Sequence, residues 1–523
     1  MLGKSGWAAR GKTGSRGPEG PGRSWPGLAA LAMSSLVFLC ARQLLRHQAS
    51  ACRALERLPP ELYPPLFKAA FADGRTWVLR ELVRRWPFPL LSFRQLLREG
   101  RHDRPRRDSL QAVVLGLEAR LGQDAPGPAR RRRRLQVLDM TGLPDGDGER
   151  DPGTMSLWAR TVAVAKTCVG ARRRRAGAAG RPPKRPRAEG PAGDTPALEV
   201  RADLLVNRTS YGVLKEALEG GGGDGPVRLL CRDFRAEELS LTGTVGLLEL
   251  LDPLHLRQID LRFNNLGLSG LCAVIPHVVK FANLVSLKLQ YSNVDVRRLS
   301  AEMESSFRYF VAQLGKLGRL KELNVGSSRL SGRLRQLVGG LQSPLESLEL
   351  AFCYLLPADF SYLSQSPHAS ALKKLDLSGN DLSRALLDPF RTLLREISPS
   401  LLHLEVTECQ LADPHLATLL PALCRCARLR YLGLSGNPLS THALKTLLRR
   451  SEALGELRLV VYPFPADCYE DPPWPPSSAG PPDREKCSRV QASYSGCCGA
   501  AGRAHVLWTT DAYGGGALDY FSL

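Results

Sequence analysis

This 523-residue sequence has no apolar run long enough to be a secure membrane span. Residues 28–41, with basic residues before them, have the outline of a signal peptide or anchor. Fourteen residues fall short of the roughly twenty that a helix needs to cross a bilayer, so no membrane partner is expected. Disulfide spacing is missing too: the 13 cysteines are odd in number and scattered, as in a chain kept in a reducing compartment. A cytoplasmic location is therefore expected. Cys424-x-Cys426 and Cys497-Cys498 have no companions at zinc spacing, and the nine histidines do not cluster with Cys or Asp, so no metal site is expected. Catalytic signatures are absent: no G-x-S-x-G, H-E-x-x-H, kinase set or dinucleotide fingerprint occurs. The glycines at 220–223 lead into no Gly-Lys-Ser/Thr, which excludes a P-loop. No enzymatic activity, cofactor or small-molecule substrate is expected.

The formal charge of +21 invites a nucleic-acid reading, which its distribution weakens. Residues 1–200 hold 37 Lys and Arg against 18 Asp and Glu, a surplus of 19. Residues 201–523 hold 35 against 33, a surplus of 2. The basic excess is not interleaved with aromatics as a base-stacking surface requires, so a nucleic-acid partner is disfavoured.

What fills the second half is a repeat. LKKLDLSGNDL from Leu372 places Leu375, Leu377, Asn380 and Leu382 in the L-x-x-L-x-L-x-x-N-x-L pattern of a leucine-rich repeat. Similar segments begin at Leu256, Leu284, Leu320, Leu345, Leu401, Leu429 and, in decayed form, Leu454. The starts are 25 to 36 residues apart. Between them lie helical patterns such as Leu439, Leu444, Leu447 and Leu448. One unit cannot bury its own apolar face and implies stacked neighbours. The fold expected is an α/β leucine-rich-repeat horseshoe solenoid with a helical N-terminal cap and an irregular C-terminal cap.

Stacked parallel strands carry equivalent residues into rows across the sheet. One row reads Asp260, Lys288, Asn324, Glu349, Asp376, Glu405, Gly433 and Arg458. The row two positions earlier reads Gln258, Ser286, Glu322, Ser347, Lys374, His403, Tyr431 and Glu456. Glu322, Glu349, Asp376 and Glu405 form an acidic centre, expected to face solvent and to suit a basic peptide or helix.

Towards the N-terminus, residues 1–32 lack periodicity and are expected to be disordered. Residues 33–129 read as a helical cap. Within it Leu36, Cys40 and Leu44 fall four apart on one face of an amphipathic helix. Residues 130–196 read as a first decayed repeat, LQVLDMTGL, plus a flexible basic insertion. That insertion carries Arg172, Arg173, Arg174 and Arg175, then Lys184, Arg185 and Arg187. Exposed clustered cations of this kind can act as a nuclear-import signal, giving a possible nuclear fraction. Residues 197–250 read as degenerate repeats, 251–465 as the regular ones, and 466–523 as a Pro-rich linker and cap.

LPPELYPPLFKAAF followed by VLRELVRRWPFPLLSFRQLL resembles the opening of the family named for the preferentially expressed antigen in melanoma. SPLESLEL, LSQSP, CYE and GRAHVLWTTDAYGGGALDYFSL also match, and the resemblance covers nearly all of residues 33–523. Before GRAHVLW the sequence departs from the family, with VQASYSGCCGAAG where relatives carry an amphipathic helix. The resemblance implies a negative regulator of Toll-like-receptor-driven NF-κB signalling that binds the β subunit of the IκB kinase complex. The alternative it admits is a substrate receptor of an elongin–cullin ubiquitin ligase. Leu36, Cys40 and Leu44 would then form the box that grips elongin C of the elongin B/C pair. Leu58, Pro59 and Leu62 would contact the cullin.

Overall fold

The computed structural model describes residues 36–97, 106–122, 135–146, 152–179, 198–219, 226–469, 482–490 and 506–511. The expectations for residues 1–32 and 130–134, for Lys184, Arg185, Arg187 and 220–223, and for most of 472–482, 490–502 and 504–523 lie outside them.

The chain starts in short helices because proline keeps interrupting it. Helices α1 (Leu36–Leu44) and α2 (Gln48–Ala54) precede a 3-10 turn at Pro60–Leu62. Pro64 and Pro65 then occupy the first turn of α3 (Tyr63–Ala72), where a missing N–H costs nothing. Helix α4 (Thr76–Arg85) buries Val78, Leu79, Leu82 and Val83, one face at helical spacing. The nucleus of this region is aromatic. Phe67 lies edge-on to Phe93 at 5.4 Å and to Trp86 at 5.7 Å, and stacks on Phe71 at 6.0 Å. The region is not purely helical. Strand β1 (Leu90–Ser92) lies between α4 and the short α5 (Phe93–Leu96), and it pairs in parallel with β2 (Val137–Asp139), the strand of LQVLDMTGL.

Helix α6 (Arg107–Leu121) packs on α4, and Gly116 makes this approach possible: a β-carbon there would lie 2.7 Å from the Arg80 carbonyl oxygen. After β2 comes a correction. Residues 170–175, expected to be a flexible insertion, belong to the 23-residue helix α7 (Leu157–Ala179). Val164, Ala165, Cys168 and Ala171 bury one of its faces against β3 (Leu198–Val206) and its neighbours. Helix periodicity is there, but four consecutive arginines obscure it. Strand β3 alternates buried and half-buried residues over its whole length and pairs with β4 (Val227–Ala236) across a bulge near Ala202–Leu204; helix α8 (Tyr211–Glu219) joins them.

From β4 onward the repeats take over. Strands β5 (Gln258–Asp260), β6 (Ser286–Lys288), β7 (Glu322–Asn324), β8 (Ser347–Glu349), β9 (Lys374–Asp376), β10 (His403–Glu405), β11 (Tyr431–Gly433), β12 (Leu459–Val461) and β13 (Leu507–Thr509) continue one parallel sheet. Its 13 described strands follow strict chain order and leave it open. Each repeat strand from β5 to β11 is centred on a buried Ile or Leu, in order 259, 287, 323, 348, 375, 404 and 432. On the opposite side of the core run the return helices, α9 (Leu241–Leu250) through α10 (Gly267–Val278), α11 (Ala301–Leu314), α12 (Leu334–Val338), α13 (Pro357–Gln365), α14 (Leu387–Ile397), α15 (Asp413–Leu423) and α16 (Thr441–Arg450). Ser240, Ser300 and Ser440 accept backbone N–H bonds at the N-termini of α9, α11 and α16.

A ladder holds the loops that leave the strands. Asn380 donates through Nδ2 to the carbonyls of Leu350 and Leu377 and accepts from Leu355 N at 3.1 Å. Asn437 repeats this with the Val406 and Leu434 carbonyls and the amides of Cys409 and Leu411. Cys353 and Cys409 stand at the same position, their thiols 3.5 and 3.3 Å from the Val325 and Leu377 carbonyls. Both are fully buried.

Two features of the C-terminal end differ from expectation. Strand β12 is centred on Val460, so Leu459 and Val461, not Glu456 and Arg458, continue the two rows. Arg458 donates its amide to the Arg430 carbonyl and Glu456 pairs with Arg430. Residues 507–509, read as part of an irregular cap, instead add β13 to the sheet, paired with β12.

Candidate protein-docking surfaces

Helix α1 lies against α3 through Ala41 and Leu45, both buried. A bidentate pair from Arg42 to Asp73, at 2.9 and 3.0 Å, fastens it there. Leu36, Cys40 and Leu44 point away: Leu36 is 76% and Leu44 52% exposed, and Cys40 is exposed as well. Helical spacing brings the three onto one accessible apolar face. Leu58 and Leu62 are half-buried and Pro59 exposed, on the stretch that leads into α3.

The sheet carries the two rows across β5 to β11 with the expected register. Their exposure is the correction. Asp260 is buried and gripped by Arg262, Nη2 to Oδ2 at 2.5 Å. Glu349 receives Lys374 Nζ at 3.0 Å and Asn324 Nδ2 at 2.7 Å. Asp376 accepts from Ser378 N at 2.9 Å and Ser378 Oγ at 2.6 Å. Glu405 accepts from Thr407 Oγ1, and its carboxylate fills the space above Gly433, where a β-carbon would lie 2.1 Å from Oε1. Glu322 is half-buried in the companion row, beside Ser286 and Ser347. The acidic centre is thus a hydrogen-bonded network threaded by Lys374, not a solvated negative strip. Burial, then repulsion from Asp376, pushes the Glu405 carboxyl up to about 7. Burial also raises Asp376, with Glu349 adding repulsion. In the companion row burial lowers His403 to about 4, helped by Lys374 and Arg430; Tyr431 stands beside it, ring centroids 6.0 Å apart.

The basic run is equally engaged. Arg172 donates from Nη1 to the carbonyls of Glu216 and Ala217 at 3.1 and 2.7 Å, and from Nη2 to that of Val227 at 3.2 Å. It closes the C-terminal end of α8, where unsatisfied carbonyls favour a cation. Arg173 pairs with Glu216 and Arg174 with Glu118, leaving Arg175 exposed.

Sequence reasoning overlooked a third surface. Phe263, Tyr291 and Phe352 precede the ladder position of their repeats and stand half-exposed along the loops that leave the strands. Their common offset before Asn264, Ser292 and Cys353 was the available signal. Among the described residues no three His, Cys, Asp or Glu side chains gather as a metal site, and no helix is long and apolar enough to cross a membrane.

Residues 33–147 match the PRAME N-terminal domain and residues 226–473 the PRAME C-terminal domain. The chain belongs to the PRAME family. Relatives span most of its length: human leucine-rich repeat-containing protein 14 is 56% identical over 94% of this chain and all of its own. The Xenopus laevis protein of that name is 54% identical over the same shares. Human PRAME family member 20 is 32% identical over 83% of this chain and 87% of its own. Among solved structures, the leucine-rich repeat-containing protein LegL7 from Legionella pneumophila is 16% identical, with a TM-score of 0.33 over 57% of this chain and 90% of that one. With its own open parallel sheet and relatives named for leucine-rich repeats, the chain is a leucine-rich-repeat protein whose architecture suits protein–protein interaction.

Proposed function

We propose that this protein is a non-enzymatic adaptor that holds one protein on its repeats while presenting its N-terminal helix to another. The carrying observation is the exposed face of Leu36, Cys40 and Leu44, apolar side chains left in solvent on a helix pinned to the cap from its other side. Helix-in-groove docking uses anchors at this spacing.

Two finer readings follow. The family resemblance favours a cytoplasmic negative regulator of Toll-like-receptor-driven NF-κB signalling that binds the β subunit of the IκB kinase complex and disrupts that complex. The α1 face favours a substrate receptor of an elongin–cullin ligase, with Leu36 and Leu44 in a pocket of elongin C, Cys40 permitting close approach, and Leu58, Pro59 and Leu62 near the cullin. The readings are compatible, since the faces involved belong to different parts of the fold. A nuclear fraction fits the exposed Arg175 and the cations that follow it.

Affinity purification from cells, read by mass spectrometry, tests both. Leu36→Ala with Cys40→Phe should abolish elongin recovery and leave the circular-dichroism spectrum unchanged; undiminished recovery removes the ligase reading. The concave face is tested by Glu322→Gln with Glu349→Gln, which keep shape and remove charge. Charge reversal of Glu349, Asp376 and Glu405 would strain a partly buried network, so the neutral isosteres are used. The exposed Asp388, on helix α14, is the control. Recovery of the kinase subunit should fall with the glutamine pair and not with Asp388→Asn. Equal recovery from the unaltered chain, the glutamine pair and Asp388→Asn removes the concave site.

A further inference from the structure

We propose that the loop edge of the repeats is a second docking surface, a platform for an extended acidic peptide segment rich in proline. It is separate from the concave rows and from the α1 face.

The observation behind it is where bulky aromatics have been placed. The residue before the ladder position adopts a left-handed backbone in each of seven successive repeats, with φ between 55° and 69° at Phe263, Tyr291, Ser327, Phe352, Gly379, Glu408 and Gly436. Glycine takes this conformation freely, and the fold uses it at two of the seven. An aromatic residue there is a steric outlier. Three such rings are nonetheless present, and Tyr354 adds a fourth at φ 54° two residues after Phe352. The repeat fold imposes this backbone at every copy, and strained residues of this kind cluster at functional sites. The core gains little from these side chains, since Phe263 is 49% and Tyr291 48% exposed.

The rings are also arranged. Phe263 stacks on Tyr291 with centroids 4.6 Å apart and planes 12° from parallel. The Phe352 ring lies over the next loop, where Gly379 leaves room for it: a β-carbon at Gly379 would sit 2.1 Å from the ring. Small Ser327 separates the two groups, so ring faces line the loop edge across adjoining repeats. Such faces bind proline rings, whose pre-extended backbone loses little freedom on docking.

Charge decides the rest of the partner's chemistry. Between Tyr291 and Tyr354 the same edge carries Arg297, Arg298 and Arg329 against Asp295, a surplus of two (3 − 1). Asp295 accepts from both Arg297, at 2.8 Å, and Arg329, at 3.3 Å, and the Arg297 contact first of all holds its carboxyl far below the usual range. The Arg297 guanidinium sits 5.7 Å from the centroid of the Tyr354 ring. This cationic patch spans neighbouring strands, roughly 10 Å at ordinary strand spacing. One or two carboxylates fit that length and a run of phosphates does not. Glu408 holds the equivalent position two repeats beyond Phe352, and Asp381 lies between them, which disfavours a polyanion further along the edge.

Fluorescence anisotropy on the full chain tests the proposal with three labelled probes: an alternating Pro–Glu peptide, its Pro–Lys counterpart, and oligouridylate. The acidic peptide should bind, and more weakly as salt rises. Phe263→Asn with Tyr291→Asn, which suits the left-handed backbone, should weaken it by at least about tenfold while leaving the melting temperature unchanged or higher. Arg297→Gln with Arg329→Gln should weaken it and flatten the salt dependence. Phe352→Asn provides a second aromatic variant should the double one fold poorly. The proposal is overturned if the acidic peptide fails to bind, or if the aromatic variants bind it equally. It is also overturned if the Pro–Lys peptide binds as well, or if oligouridylate alone binds and is lost in the same variants.

Discussion

Asn380 and Cys409 solve one local problem with different chemistry. A loop leaving a buried strand must satisfy carbonyls that water cannot reach, and an amide can both donate to them and accept from the preceding repeat. Asn380→Ala removes both functions inside the core and should cost about 2–3 kcal/mol in a urea titration. A thiol is a weak donor that behaves mainly as a small hydrophobe. Cys409→Ala should therefore cost roughly half as much or less. Near it, Glu405 gives a pH test. Its folded carboxyl titrates near 7, above the ordinary value of 4.5, so the folded state binds the proton more tightly than the unfolded chain. Stability should fall as pH rises from about 4.5 to 7 and level off above that. Glu405→Gln should flatten this slope in melting temperature against pH, and gain on the order of 1 kcal/mol above pH 7.

Helix α7 shows how an element can be misread when charge hides its period. Val164, Ala165, Cys168 and Ala171 mark its buried face, yet the arginines after them resemble a solvated tract. Arg172 is a tie between α7, α8 and β4, through three backbone carbonyls. Arg172→Ala should lower stability by about 1.5–3 kcal/mol, the range for hydrogen bonds to a charged group. Arg175→Ala should stay within about 0.5 kcal/mol. Deleting residues 170–187 should also lower the melting temperature. Regular elements were far easier to read. The L-x-L alternation located β5 to β11 in sequence because each strand has one buried aliphatic centre between residues that are mostly polar. In the last repeat LRLVVYPF offers several apolar residues in succession, so periodicity could not settle which sits at the centre, and the register was missed by three residues. Strand β1 was hidden in a Pro- and Phe-rich stretch, because three residues are too few to show a period. Row membership of Glu349, Asp376 and Glu405 followed from the repeat. Their burial did not, since Lys374 meets Glu349, and Gly433 meets Glu405, only through stacking.

At the scale of the whole molecule, an open sheet in chain order means that each strand of the repeat array rests on the strands beside it. Stability in such a solenoid is a sum of repeat and interface contributions. Leu348→Ala opens a cavity at the centre of β8 and should cost about 2–5 kcal/mol. Hydrogen exchange should accelerate first in β7, β8 and β9, while the helices around Phe67 and Phe93 keep their protection. Uniform acceleration over the whole chain would instead show one cooperative unit.

The buried thiols have a use of their own. Cys168, Cys231, Cys353, Cys409, Cys426 and Cys468 are sealed from solvent at intervals from α7 to the end of the repeats. Burial raises the pKa of each, so each stays unreactive while its surroundings remain closed. The chain therefore carries six native clocks, each started by the opening of its own stretch. The order in which an alkylating reagent captures them would record which part of the array lets go first.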